Sequence, residues 1–92
     1  MNELVNDVKT TIVDVRSRAE YSGGHVVGSL NIPLQELADH ADELMQKGRA
    51  IVFCCASGGR SGMATQMFRE RGYENAFNGG SWLEVNYIKN NG

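Results

Sequence analysis

Charge of either sign in excess, long apolar runs, proline and cysteine are all scarce in these 92 residues. Nine lysines and arginines stand against eleven aspartates and glutamates, for a net charge of −2. Without a basic surplus the chain lacks the electrostatic term that drives nonspecific nucleic-acid binding through phosphates. The longest apolar run, residues 50–56, has seven members, where a membrane-spanning helix needs roughly 20. The N-terminal MNELVNDVKT puts acids and amides where a secretory signal would place lysines and then an apolar stretch. Neither a nucleic-acid partner nor a membrane location is expected. The cytoplasm is expected, a cleaved leader being outside what these residues report. The two cysteines, Cys54 and Cys55, are neighbours. Disulfide geometry rarely closes across one peptide step, so they make no disulfide framework. No group of His, Cys and carboxylate residues has metal-ligand spacing, so no metal site is expected.

What remains is a composition that folds. With 41% hydrophobic and 22% charged residues and one proline, the chain reads as globular, a single domain over residues 1–92. A chain of this size buries roughly 60–65% of its unfolded surface, enough for one core. Its size and the lack of an apolar surplus predict a monomer.

The apolar pattern alternates in period. Residues 10–15 (TTIVDV) are rich in β-branched side chains and predict a strand. Ser17 followed by Glu20 fits a capping box, so a short helix follows. Residues 22–28 read as a glycine-rich loop and residues 29–32 as a short strand ended by Pro33. Leu34, Leu37, Ala38, Ala41, Leu44 and Met45 recur at helical spacing, with Gly48 as the stop. Residues 50–54 (AIVFC) are apolar throughout, as a strand covered on both faces requires. Met63, Ala64, Met67 and Phe68 mark the next helix, with Gly72 as its stop. Residues 75–78 predict a last strand, and Trp82, Val85 and Ile88 a closing helix. This order predicts an α/β fold, a small, mainly parallel sheet flanked by helices. Ligands in such folds lie beyond the carboxyl ends of the strands, where Cys54 and Cys55 arrive.

The segment Cys55-Ala56-Ser57-Gly58-Gly59-Arg60-Ser61 carries the chemistry. A thiol of ordinary pKa, about 8.5, is only a few per cent ionised at neutral pH, and the thiolate is the nucleophile. A short loop closing onto a helix start turns successive backbone N–H groups toward one point. Those dipoles, with Arg60 nearby, favour negative charge on the Cys55 sulfur. Gly58 and Gly59 permit positive φ and keep side chains out of the cradle. Ala56 and Ser57 are small, so an anion is expected to enter. Glycines that serve a turn alone are the plain alternative for Gly58-Gly59. A structural pairing with a carboxylate such as Asp14 is the alternative for Arg60.

At this point the chain resembles the rhodanese-like, single-domain sulfurtransferases. Asp14-Val15-Arg16 with Glu20-Tyr21 is similar to the family's first signature. Residues 24–29 (GHVVGS) followed by Asn31-Ile32-Pro33 are similar to its second. Residues 55–61 resemble its active-site loop, and Gly72-Tyr73, Gly79-Gly80 and Trp82 its closing signature. The resemblance runs from about residue 11 to residue 85. It implies that Cys55 takes a sulfane sulfur from a small donor anion such as thiosulfate and becomes a persulfide. Cyanide, a thiol or a protein cysteine then accepts that sulfur. It further implies that the donor is held by Ala56, Ser57, Gly58, Gly59, Arg60 and Ser61, and that no metal or organic cofactor is needed.

The remaining signature residues read as scaffold. Asp14 and Arg16 suit buried hydrogen bonding, His25 a structural place in its loop, and Trp82 the core; His40 falls on a solvated helix face. Two competing readings stand beside the first. Cys54 to Arg60 has the Cys-x5-Arg spacing of cysteine phosphatases and some arsenate reductases, which would make Cys54 the nucleophile. Phe53 stands where those enzymes usually carry histidine, and a loop from Cys55 has less room for phosphate. A non-catalytic sulfur-carrier or binding module is the second; the presence of both Cys55 and Arg60 weighs against loss of chemistry.

Overall fold

A computed structural model describes residues 1–91. The elements run α1 (Asn2–Asn6), β1 (Thr11–Asp14), α2 (Arg18–Ser22), β2 (Leu30–Asn31), a 3-10 turn (Leu34–Glu36), α3 (Leu37–Gln46), β3 (Ile51–Cys55), α4 (Gly59–Glu70), β4 (Ala76–Ser81) and α5 (Trp82–Asn91). The four strands form one sheet in the order β2-β1-β3-β4, and every pairing is parallel. The expected α/β architecture is therefore present. The structure adds α1, whose five residues have no long apolar pattern, and lengthens β4 to Ser81.

Alternation along the strands sorts the core into two layers. Val13, Val15, Ile51, Phe53 and Cys55 join Leu37, Ala41, Leu44, Ala64 and Phe68 on one face. Ile12, Val52 and Cys54 join Val5, Val26 and Val85 on the other. All five residues of β3 are buried, as its unbroken apolar run requires. On α4 the inward stripe is Ser61, Ala64, Thr65 and Phe68, an i, i+3, i+4, i+7 set. Met63, placed in that stripe by composition, is instead 62% exposed. Ala38 of α3 also faces outward. In both helices small polar or small apolar side chains make the inward face ambiguous to a count of hydrophobic residues alone.

Two features fix the edge of the sheet where the strands end. The first is a buried ion pair. Asp14 is fully buried and Arg16 is 4% exposed. The guanidinium donates to both Asp14 carboxylate oxygens at 2.7–3.0 Å and to the Gly24 carbonyl at 2.7 Å. It also lies 4.7 Å from the ring centre of Trp82. These partners tie β1, the loop after α2 and the start of α5 together. The second is a bulge in β4: Phe53 is paired with Asn78 but Cys54 with Gly80, leaving Gly79 extra. A Cβ on Gly79 would stand 2.7 Å from Val52 Cγ1, 2.9 Å from Val85 Cγ2 and 3.1 Å from the Phe53 carbonyl. Only a residue without a side chain fits there.

Two stability predictions follow from these contacts, each read by urea denaturation. Arg16→Met leaves the Asp14 carboxylate buried without its counter-charge and lowers stability by about 3–5 kcal/mol. Gly79→Ala forces the packed core apart and costs about 1–3 kcal/mol.

Candidate active site

The end of β3 and the start of α4 build the site. The strand runs one residue further than the sequence predicts, so Cys55 is its last residue rather than the first of the loop. Residues 56–58 turn the chain, and Gly58 takes φ +101°, a conformation costly for any residue with a Cβ. Gly59 does not use that freedom: it is the first residue of α4, and a Cβ there meets nothing within 4 Å.

The turn aims its donors at one atom. The amide of Gly58 donates to Cys55 Sγ at 3.0 Å, and the amide of Ser61 at 3.4 Å. The Ser61 hydroxyl lies 3.3 Å from the same sulfur. Burial raises the Cys55 thiol. The Ser61 hydroxyl and the amides of Ser61, Gly58 and Ser57 more than offset that effect and bring it down to about 7. Cys54, one residue earlier, points to the opposite face and is fully buried. Burial pushes its thiol up to about 12. Cys54 is thus outside the loop's cradle, which removes the geometric basis for a phosphatase or arsenate reductase nucleophile there.

The remaining loop residues depart from expectation in three ways. Arg60 neither touches the sulfur nor pairs with Asp14. It donates to both carboxylate oxygens of Glu20 at 2.7 and 3.0 Å. Glu20 also accepts from the Ser17 amide in the capping box of α2. Arg60 first, with Ser17, holds the Glu20 carboxyl down to about 2, so the pair stays ionised at neutral pH. Ser61, expected to hold substrate, is fully buried against the sulfur and Asn78. Cys55, expected to be open to an anion, is only 1% exposed, whereas Ala56, Ser57 and Gly59 lie in solvent.

Asn78 belongs to this cluster and was not singled out by sequence. Its Oδ1 accepts from the Ser61 hydroxyl at 2.7 Å and its Nδ2 donates to the Gly58 carbonyl at 3.2 Å. The available signal was an amide side chain directly before the Gly79-Gly80 pair, at the end of the last expected strand. Glu20 was legible as a cap, but its reach to Arg60 spans 40 residues. The signature residues read as scaffold are so placed: Asp14 and Arg16 form the buried pair. His25 stacks on Tyr21 at 3.8 Å with Nδ1 2.8 Å from the Tyr21 carbonyl. Trp82 is half-buried against the core layer of α5. His40 lies beside Glu43 on the exposed side of α3.

A profile of the rhodanese-like domain matches residues 1–84 of the chain. The chain belongs to the rhodanese-like family. It is 32% identical over 74 residues to the thiosulfate sulfurtransferase PspE of Escherichia coli, covering 79% of this chain and 71% of that one. It is 36% identical over 73 residues to the putative sulfur carrier protein YrkF of Bacillus subtilis, covering 79% of this chain and 39% of that one. Among first-ranked curated relatives the chain spans about half of their length or less. The structure superposes on the human single-domain sulfurtransferase TSTD1 with a TM-score of 0.73 at 32% identity, over 89% of this chain and 85% of that one. Sulfur transfer of the rhodanese type is thereby supported for this fold. No helix among the described residues is long and apolar enough to cross a membrane.

The ionisation of Cys55 is open to measurement through stability. Its folded value lies below that of an ordinary, solvated thiol. The contribution is therefore complete above pH 9 and is lost as pH falls through 7. Relative to Cys55→Ser, the wild-type chain gains roughly 2–3 kcal/mol between pH 6 and pH 9.5. Urea denaturation of the two proteins across that range checks it; parallel curves contradict a depressed thiol.

Proposed function

We propose that the protein is a sulfurtransferase that carries a sulfane sulfur as a persulfide on Cys55. The observation supporting this most directly is the convergence of two backbone amides and one hydroxyl on a single sulfur at the end of β3. Three donors at hydrogen-bond distance favour a thiolate, and the thiolate is the attacking form.

In the proposed cycle the Cys55 thiolate attacks the outer sulfur of thiosulfate. A new S–S bond forms, the bond to the sulfonate sulfur breaks, and sulfite leaves with its electron pair. The negative charge moves to the outer sulfur of the persulfide. A thiophilic acceptor then attacks that outer sulfur: cyanide leaves as thiocyanate, and a thiolate of a small molecule or a partner protein leaves as its own persulfide. The Cys55 thiolate is restored, and no external oxidant or reductant is consumed. In this reading the amide of Gly58, 3.0 Å from Cys55 Sγ, is the donor at hand for the transferred sulfur. Arg60, clamped by Glu20, holds the far end of the loop rather than offering a free cation to the donor. Because Cys55 is only 1% exposed, the reading requires local opening around the sulfur before a donor reaches it. The reading takes the protein as a cytoplasmic monomer, where both thiols stay reduced.

Intact mass after incubation with thiosulfate, without reductant, tests the cycle. The wild-type chain gains one sulfur atom and loses it on addition of cyanide. Cys54→Ala behaves the same way, whereas Cys55→Ala gains nothing. Uptake by Cys55→Ala, or no uptake by the wild-type chain from thiosulfate or an organic persulfide, overturns the proposal.

A further inference from the structure

The Ser61 hydroxyl has one proton and two acceptors within reach. Asn78 Oδ1 lies 2.7 Å from Ser61 Oγ and Cys55 Sγ lies 3.3 Å from it. Asn78 cannot reverse its amide to escape the contest. Its Oδ1 also accepts from the Gly80 amide at 2.9 Å, and its Nδ2 donates to the Gly58 carbonyl at 3.2 Å. A flipped amide would set donor against donor at Gly80 and acceptor against acceptor at Gly58. Ser61 is equally fixed: its amide points to Sγ and its carbonyl accepts from the Thr65 hydroxyl at 2.8 Å. Only the O–H bond is free to rotate.

The two protonation states of Cys55 place that bond differently. While the sulfur is a thiol, S–H donates to Ser61 Oγ and O–H donates to Asn78. Once the sulfur is ionised it has no proton to give, and O–H turns toward it. Asn78 Oδ1 then keeps the Gly80 amide alone. Ionisation therefore breaks the shortest hydrogen bond of the cluster. We propose that Asn78 is a positioning residue that competes with the Cys55 sulfur for the Ser61 proton and thereby sets how readily the nucleophile ionises. The inference rests on Cys55 as the sulfur-carrying nucleophile and extends it. When charge passes to the outer sulfur of a persulfide, the hydroxyl returns to Asn78. When the acceptor strips that sulfur, the hydroxyl swings back to the departing thiolate.

The other charged and titratable groups near the sulfur, apart from the buried Cys54 on the opposite face, are paired with one another. Arg60, on α4, is paired with Glu20 of α2. Asp14 and Arg16, from β1 and its end, pair with each other beside Cys54. None of them donates a hydrogen bond to Sγ among the described residues.

The test is the ultraviolet thiolate absorbance across pH, which needs no reagent to reach the sulfur, each variant corrected with its own Cys55→Ala counterpart. Ser61→Ala raises the midpoint. Asn78→Ala lowers it, with a roughly three- to tenfold larger ionisation constant, the range of one neutral hydrogen bond. Asn78→Leu, close in volume, shifts it the same way. In the Ser61→Ala background the Asn78 substitutions no longer lower the midpoint. An unchanged or raised midpoint in both Asn78 variants overturns the proposal, as does an equal lowering with Ser61 absent, which would mark a merely structural effect. Failure of sulfur uptake with the expected titrations overturns the function alone. Uptake with unmoved titrations overturns only the role of Asn78.

Discussion

Full coverage of β3 is the constraint on which the rest depends. Parallel partners flank it on both edges and apolar layers cover both faces. Nothing along such a strand meets water, so its chemistry is confined to the point where the chain turns away. Strict alternation then separates two identical side chains. Cys54 falls into the layer with Val52 and Val85, and Cys55 into the layer that opens onto the turn before α4. Adjacent thiols are driven in opposite directions by what surrounds them, one by apolar burial and the other by donors.

The turn itself works through main-chain groups more than through charge. Its only cation is held by Glu20, whose carboxylate also begins α2. The loop is thereby fastened to a helix on the other side of the site, and the sulfur is left to the amides and to Ser61. Asn78 supplies the opposite wall, reaching the hydroxyl and the Gly58 carbonyl from β4. The bulge at Gly79 places it there, since the extra residue lets Asn78 pair beside Phe53 while Gly80 pairs beside Cys54.

Most of the fold was legible in the sequence because period carries it. The all-apolar strand, the capping box at Ser17 and the glycine stops of α3 and α4 are local patterns with local causes. So was the loop, since a cysteine, small residues and an arginine between a strand and a helix fall in one stretch. What escaped was non-local. A structural pairing of Arg60 with a carboxylate was one of two readings, with Asp14 as the example, but Asp14 is taken by Arg16 two residues away and the carboxylate is that of Glu20. The choice between two carboxylates depends on burial that no spacing reports. Asn78 meets Ser61 across 17 residues, and nothing in its own neighbourhood announces that contact. The burial of Cys55 likewise depends on tertiary packing that small loop side chains permit but do not dictate. Helix α1 is too short to show a period, and its one buried side chain, Val5, is fixed by tertiary contact.

The separation of the two cysteines bears on damage as well as on turnover. Peroxide would convert Cys55 to a sulfenic acid, which is usually rescued by condensation with a second thiol close by. Within these 92 residues the only other thiol is Cys54, sealed behind the strand and held in its protonated form. Within these residues no second thiol is placed to resolve it, so recovery from oxidation falls to a reductant or thiol from outside them.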